Sequence, residues 1–257
     1  MWGEKEMFYL LNYTRKPVSS ILYDARLAYS MHLAISDDGE KFQALNHNSG
    51  VLFVKATENE DGSLNPKSIK NPFIFQLKEE GYGVVAVRTK ADGEDDEESR
   101  GCVVLFFTKD FLEYEELGLF HLEEQYVEEV ICEFEEECYI VRWKNRDGIC
   151  SVGQTSDIRK RDLDSVVMMT EETLQKSVIL PKNAEIEGAV FHNMIEIPEN
   201  LAERLEKKLL TPMNTGMSFP KQVIASSRSE LNQFLAMVSY SDGTCLLYTS
   251  PSPRDCS

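Results

Sequence analysis

The chain has few of the features that mark membrane proteins, secreted proteins and nucleic-acid-binding proteins. It contains no run of about 18 apolar residues, so the sequence predicts no membrane-spanning segment. Its 27 Lys and Arg residues are outnumbered by 44 Asp and Glu residues, and the net charge of −17 argues against a phosphate-backbone partner. Residues 1–6 lack the basic and apolar regions of a secretory signal. We therefore expect neither a membrane nor a nucleic acid as partner.

Cysteine and histidine are also sparse and follow no ligand spacing. The six cysteines include no Cys-x-x-Cys pair and no disulfide framework, which favours a reduced, cytoplasmic setting. The four histidines match no zinc motif, and the acidic runs 58–63 and 91–99 do not match a calcium-binding loop. Both runs are typical of solvated connections between strands. No Ser-His-Asp arrangement or glycine-rich phosphate loop stands out, so we predict no metal and no cofactor.

What the sequence does contain is a three-fold recurrence in its first 165 residues. Each unit joins apolar, strand-like runs to a last run that ends in a Ser/Thr–Asp turn. The runs are 7–13 and 28–39 in the first unit, 71–75, 83–88 and 103–110 in the second, and 130–134, 138–143 and 149–157 in the third. Short strands repeated at this spacing are typical of a β-propeller, with one unit per blade.

The remaining third of the chain has a different character. Residues 198–209 predict a helix, with Pro and Glu in its first turn and Leu201, Leu205 and Leu209 on one face. We interpret 166–213 as a connector whose helix packs on a neighbouring domain. Strands are predicted at 220–224 and 235–240, with a hairpin turn at 241–244.

Residues 7–165 resemble the β-propeller of glycoside hydrolase family 43. The resemblance is carried by Tyr9–Tyr13, by Ser36-Asp37-Asp38-Gly39 followed by Phe42 and Ala44-Leu45-Asn46, and by the runs 69–74 and 108–112. It implies an all-β fold of the five-bladed type, of which three blades are visible here. The ring is then either incomplete or closed by residues 165–197 and a partner.

Two further resemblances concern the C-terminal part. Residues 238–244 resemble the hairpin of a bacterial Ig-like module, so we interpret 214–245 as a partial Ig-like β-sandwich. Residues 246–257 resemble translated sequencing-adapter read-through and are left out of the fold prediction. We accordingly expect a fragment of a longer bacterial protein.

The family resemblance implies which residues carry the chemistry. Its members hydrolyse glycosidic bonds with carboxyl groups on opposite sides of the bond, ~6.5–9.5 Å apart when the enzyme inverts. Asn71 aligns with a family aspartate, where an amide cannot serve as a base, and Glu129 aligns with the general acid. The first blade begins with Glu6-Met7-Phe8 and has no aspartate at this entry position. Asp24 or Asp37 could substitute, and Glu129 could instead be a solvated residue in an acidic stretch.

Five further residues are candidate sugar contacts. His47 lies in a polar loop that could hydrogen-bond hydroxyl groups, although Asn and Gly also explain a turn there. Arg88 and Arg142 end corresponding strands and either face the axis or cap an edge. Trp143 could stack on a sugar or be buried, and His32 could contact a sugar or belong to the core. His121 and His192 follow no pattern.

Two functional hypotheses follow from these residues. The first is a non-catalytic N-terminal part of a larger glycoside hydrolase, which binds carbohydrate or supports a downstream domain of the same protein. Asn71 and the missing aspartate favour it, with arabinosides or xylosides as the implied sugars. The second is an active family-43-type arabinofuranosidase or xylosidase with Glu129 as general acid.

Overall fold

The computed structural model describes residues 7–16, 29–170, 178–182 and 184–210, together with strands at 224–228, 233–239 and 245–248. The described residues fall into two units. The larger one runs as far as Leu210, and the smaller one holds the last three strands. The protein is all-β, as the sequence predicted, with one α-helix of three turns among the described residues. No described helix is long and apolar enough to cross a membrane.

The larger unit is built on three four-stranded antiparallel sheets, which we call sheets 1, 2 and 3. Their strands follow the chain in meander order, except for one strand of sheet 1. Sheet 1 has the order β14-β1-β2-β3, with strands Met7–Arg15 (β1), His32–Ser36 (β2), Gln43–Ala44 (β3) and Ala189–Pro198 (β14). A two-stranded ribbon follows, of Thr57–Glu58 (β4) and Leu64–Asn65 (β5).

Sheets 2 and 3 each use consecutive strands. Sheet 2 consists of Lys67–Gln76 (β6), Tyr82–Lys90 (β7), Cys102–Thr108 (β8) and Glu115–His121 (β9). Sheet 3 consists of Val127–Glu135 (β10), Cys138–Asn145 (β11), Cys150–Thr155 (β12) and Ser165–Met169 (β13). Strand β13 therefore extends sheet 3 beyond residue 165, where the sequence placed the end of the repeats.

Strand β14 completes sheet 1 from a distant part of the chain. It pairs antiparallel with β1 from Met7 opposite Pro198 to Arg15 opposite Ala189, with a register shift beside Asn12. This strand comes from the stretch 165–197 that the repeat pattern left unassigned. The first strands of the sheets, β14, β6 and β10, pack against one another through β6. Four-stranded meanders with adjacent first strands are typical of propeller blades, so the fold is propeller-like.

The predicted Ser/Thr–Asp turns are confirmed in all three sheets. After β2, the Ser36 hydroxyl accepts the amide of Gly39 and the Asp38 carboxylate accepts two following amides. After β8 the Thr108 hydroxyl accepts the Phe111 amide and the Asp110 carboxylate accepts the Leu112 amide. After β12 the Thr155 hydroxyl accepts the Asp157 amide and the Asp157 carboxylate accepts the Arg159 amide. The hydrogen bonds that the Lys41 and Glu40 amides donate to Asp38 lower the pKa of this carboxyl group to about 2. The recurrence in the sequence is therefore a recurrence of one hydrogen-bonded turn.

The predicted helix is present as Glu199–Leu209 (α1), and one of its faces is buried. Its buried face of Leu201, Ala202 and Leu205 joins the apolar core that also contains Leu33 and Phe106. Arg204 on the same helix pairs with Asp110 at 2.8 Å. The helix is thus part of the larger unit, because its apolar stripe completes that core.

One predicted solvated loop contains a buried ion pair instead. Asp96 is 3% exposed and its carboxylate accepts hydrogen bonds from Lys67 Nζ at 2.7 Å and Arg88 Nε at 2.8 Å. Glu98 lies 3.3 Å from Lys67 and 3.2 Å from Arg88. The interpretation of 91–99 as wholly solvated is wrong, because two cations from β6 and β7 are buried here and need a carboxylate partner.

The smaller unit contains a three-stranded antiparallel sheet. Its strands are Ile224–Arg228 (β15), Gln233–Ser239 (β16) and Cys245–Tyr248 (β17), in the order β15-β16-β17. Residues 235–240 were predicted as a strand, and β16 covers 235–239 of them. The predicted turn at 241–244 lies outside the described residues. The Ig-like interpretation remains a prediction.

Candidate functional site

Two residues that the family resemblance singled out line the same cavity. Asn71 on β6 and Glu129 on β10 meet at a cavity of about 480 Å³ between the first strands of the three sheets. We call it the proximal cavity. Its other lining residues are Pro72, Phe73, Val130, Ile131, Val178, Leu180, Val190, Phe191 and His192. Its volume lies within the ~300–1,000 Å³ range of small-ligand sites.

A bulge in β6 places Asn71 at this cavity. Lys70 pairs with Val87 and Phe73 with Val85, so Asn71 and Pro72 together stand opposite Ala86. Asn71 has a φ of 48°, in the left-handed region that asparagine tolerates better than most residues. Proline is compatible with a bulge because no ladder hydrogen bond needs its nitrogen. The bulge therefore interrupts the regular alternation of side chains between the two faces of β6 at Asn71.

The Asn71 amide is already engaged between two sheets. Its Nδ2 donates a hydrogen bond of 2.6 Å to the main-chain carbonyl of Glu128 on β10. An aspartate at this position would have no proton to donate when ionised and would face a carbonyl oxygen. The amide thus links sheet 2 to sheet 3 beside the cavity.

A buried pair of asparagines holds the other side of the bulge. Asn12 on β1 donates through Nδ2 to the Pro72 carbonyl and, at 3.0 Å, to Asn193 Oδ1. Asn193 on β14 bonds both main-chain groups of Ile74. Sheet 1 and sheet 2 are therefore joined by side-chain hydrogen bonds immediately behind Asn71.

Glu129 supplies the negative charge of the proximal cavity. It is half-buried and follows a register shift in β10, where its strand partner is Lys144. Its neighbour Glu128 is exposed, with Oε1 3.9 Å from Arg146 Nε. Among the described residues that line the cavity, Glu129 alone carries a carboxylate. The cavity therefore offers one carboxyl group and one amide, whereas glycoside hydrolysis commonly uses two opposed carboxyl groups.

His192 is a polar lining residue that no sequence motif indicates. Its Nε2 and the Thr14 hydroxyl are hydrogen-bonded at 2.8 Å. Burial lowers the pKa of His192 to about 4, so its ring is neutral at pH 7. A neutral imidazole both donates and accepts hydrogen bonds, but with this pKa it is a weak base. No local pattern marks His192, because its position depends on the pairing of β14 with β1.

The structure places Arg88 and Trp143 away from this cavity. Arg88 is in the ion pair with the buried Asp96 and with Glu98. Trp143 is 1% exposed and belongs to the apolar core beneath sheets 2 and 3, so neither face of its indole can stack on a sugar. Trp143 fills core volume, as the burial alternative predicted, and Arg88 neutralises a buried carboxylate.

Of the two predicted histidines, His32 lies on β2 of sheet 1 and His47 in the turn after β3, and they differ in exposure. His32 is fully buried, with its ring 5.2 Å from that of Tyr13 and Nε2 3.2 Å from Ser30 Oγ, as the core alternative predicted. His47 is exposed in a turn in which Asn46, His47 and Asn48 all have positive φ. Neither is among the described residues that line the proximal cavity.

The remaining candidates are a cation and two carboxylates. Arg142 bonds Glu133, and its Nη2 lies 3.2 Å from Glu135 Oε1. Asp37 is exposed in the turn after β2, and Asp24 lies outside the described residues. Within the described part of the chain, no cluster of three or more His, Cys, Asp or Glu side chains is arranged to hold a metal ion.

Comparison with known proteins gives structural matches only. No family model matches the chain, and no curated protein matches it. A β-1,2-mannobiose phosphorylase from Listeria innocua, in complex with β-1,2-mannobiose, aligns with 86% of this chain and 48% of its own, at 14% identity and a TM-score of 0.39. The Bombyx mori GH32 β-fructofuranosidase BmSUC1, as a mutant in complex with sucrose, aligns with 78% and 43%, at 16% identity and a TM-score of 0.43.

A third solved structure covers more of the chain. The family 117 glycoside hydrolase Zg3597 from Zobellia galactanivorans aligns with 96% of this chain and 66% of its own, at 10% identity and a TM-score of 0.40. The chain spans about half the length of the first two proteins. All three are carbohydrate-active enzymes by name, and at these identities and TM-scores none of them assigns a family.

Proposed function

We propose that the larger unit binds carbohydrate in the proximal cavity without hydrolysing it. The observation that carries the proposal is the meeting of Asn71 and Glu129 in one cavity, with the Asn71 amide bonded to the Glu128 carbonyl. Glycoside hydrolysis requires a second carboxyl group opposite the acid, and an amide cannot take that role.

The cavity lining suits a neutral polyhydroxylated ligand. Glu129 and His192 can accept or donate hydrogen bonds to hydroxyl groups, while Phe73, Ile131 and Phe191 offer apolar surface. Sites for small ligands commonly combine an apolar lining with a few polar groups that fix orientation. The family resemblance favours arabinosides or xylosides as the sugars. It also favours a larger bacterial glycoside hydrolase, with a downstream domain, as the whole protein.

A second candidate function is favoured by the position of Glu129. A half-buried carboxyl group in a cavity of this size is where a general acid would lie, and His192 or a carboxylate from elsewhere would then have to activate water. On this alternative the protein is an arabinofuranosidase or xylosidase. The low pKa of His192 disfavours it, because a weak base activates water poorly.

The test is isothermal titration calorimetry of the full chain with arabinose, xylose and their short oligosaccharides, beside hydrolysis of chromogenic arabinofuranosides and xylosides. The proposal expects binding without turnover. Glu129→Gln should weaken binding by about tenfold, because it removes a charged acceptor. Glu128→Gln is the matched control, since it alters only the neighbouring exposed side chain.

The two functions give opposite results with the same variants. Turnover that Glu129→Gln abolishes, with sugar binding retained, would establish the hydrolase. Identical binding by the wild type and Glu129→Gln would place the sugar outside the proximal cavity. Absence of both binding and turnover would leave the unit as a scaffold for another domain.

A further inference from the structure

A second cavity continues from the proximal one along the same strands. It has a volume of about 200 Å³, and we call it the distal cavity. It is lined by Phe73, Ile74, Phe75, Gln76, Cys132, Glu133, Phe134, Ile179, Asn193, Met194 and Ile195. Phe73 belongs to both cavities. The volume is below the ~300 Å³ of small-ligand pockets, so the distal cavity suits an extension of the proximal one better than a separate site.

The three first strands run from one cavity to the other in the same direction. On β6, residues 71–73 line the proximal cavity and residues 73–76 line the distal one. On β10, residues 129–131 line the proximal cavity and residues 132–134 line the distal one. On β14, residues 190–192 line the proximal cavity and residues 193–195 line the distal one. The two cavities are therefore successive parts of one groove.

The segment 178–180 lies along both parts of this groove. Val178 and Leu180 line the proximal cavity, and Ile179 between them lines the distal one. The Ile179 carbonyl accepts a hydrogen bond of 3.0 Å from the main-chain amide of Met194 on β14. This bond fixes the segment where the two cavities meet.

The distal cavity carries side chains that suit a sugar ring. The Phe134 ring is half-buried and packs 4.9 Å from the Tyr139 ring, which orients it. Gln76 presents an exposed carboxamide, and Arg142 holds the half-buried Glu133 carboxylate. An aromatic surface beside a fixed carboxylate and an amide offers both apolar contact and hydrogen bonds to hydroxyl groups.

We propose that the distal cavity is a second sugar subsite, so that the groove takes a disaccharide or longer chain with one ring in each cavity. Phe134 supplies the stacking surface, Gln76 and Glu133 bind hydroxyl groups, and Arg142 positions Glu133. This inference rests on the proposed function, and it specifies an oligosaccharide as the ligand class. It also gives the Glu133–Arg142 ion pair a role at the groove.

The test titrates the full chain with xylose, xylobiose and xylotriose, and with the corresponding arabinose series. We expect the disaccharide to bind at least about tenfold more tightly than the monosaccharide, because it fills both cavities. Phe134→Ala and Gln76→Ala should each weaken disaccharide binding by more than monosaccharide binding and so reduce this preference. Phe53→Ala is the matched control, as Phe53 is an exposed phenylalanine outside both cavities.

Gln76→Ala keeps the test decisive if Phe134→Ala is misfolded, since the Gln76 side chain is exposed and outside the core. Equal affinities for mono- and disaccharide, or variants that weaken both equally, would overturn the second subsite and leave sugar binding at the proximal cavity intact. Absence of binding by every sugar would overturn the proposed function and this inference with it.

Discussion

On the edge of β6 that has no strand partner in sheet 2, the side chain of Asn193 forms the hydrogen bonds that a neighbouring strand would otherwise form with Ile74. Its Oδ1 accepts the Ile74 amide at 3.0 Å, and its Nδ2 donates to the Ile74 carbonyl at 2.7 Å. Asn193 is 3% exposed, so water cannot replace these bonds. The contact joins β14 to β6 three residues from Asn71, where the bulge at the proximal cavity begins.

Replacing Asn193 by leucine should destabilise the larger unit. Both main-chain groups of Ile74 would remain buried without partners, which we expect to lower the free energy of unfolding by about 3 kcal/mol. Urea denaturation followed by tryptophan fluorescence measures the loss. Asn59→Ala, at an exposed hairpin, should change stability by less than about 0.5 kcal/mol. Equal effects of the two variants would contradict the role of Asn193.

The buried Asp96 carboxylate should make stability depend on acid pH. Burial alone raises its pKa, but the hydrogen bond from Lys67 and the charges of Arg88 and Lys67 outweigh burial and lower the pKa. The ionised carboxylate therefore stabilises the fold above its unfolded pKa of about 3.9, and that stabilisation is lost as pH falls through the lower folded value.

Asp96→Asn should accordingly lower the free energy of unfolding by about 3 kcal/mol at pH 7, because it removes the negative charge that pairs with the buried Lys67 and Arg88. The difference from the wild type should shrink as pH falls below ~4, because the Asp96 carboxyl takes up a proton first in the unfolded chain and, only at lower pH, in the folded protein. Denaturation at a series of pH values measures both. Glu94→Gln, an exposed change in the same loop, is the control, and a pH-independent difference for Asp96→Asn would refute the assignment.

His192 should produce a separate pH dependence. Its folded pKa of about 4 lies below the unfolded value of about 6.5, so the unfolded chain binds more protons between these values. Stability should therefore fall as pH decreases from about 6.5 to 4, by roughly 3 kcal/mol from this group. His192→Gln should remove that part of the slope, whereas His121→Gln, at an exposed position, should retain it. An unchanged slope in His192→Gln would show that the ring is not desolvated.

The local features of the fold could be predicted from the sequence. The turns at Ser36, Thr108 and Thr155 depend on residues within three or four positions of each other, so their pattern is visible in one dimension. The helix 199–209 shows its apolar stripe for the same reason. The contribution of β14 is non-local, because its partner β1 lies about 180 residues away and its own apolar pattern is mixed.

The same distinction applies to the site. Asn71 and Glu129 were found because both align with motif positions, and the structure brings them to one cavity. His192 was missed because it reaches that cavity only through the pairing of β14. The ion pair of Arg88 with Asp96 could not be predicted, because the burial of Asp96 cannot be deduced from a loop that resembles solvated acidic connections.

The most direct test of the account is a titration of the 15N-labelled full chain with xylobiose and arabinobiose, followed by amide chemical shifts. Binding in the groove predicts shifts for Asn71, Ile131 and His192 at the proximal cavity and for Phe134 at the distal one, with no hydrolysis of the sugar during the experiment. Spectra that do not change, or shifts confined to residues remote from the groove such as Thr108–Glu115, would contradict the claim that this groove binds carbohydrate.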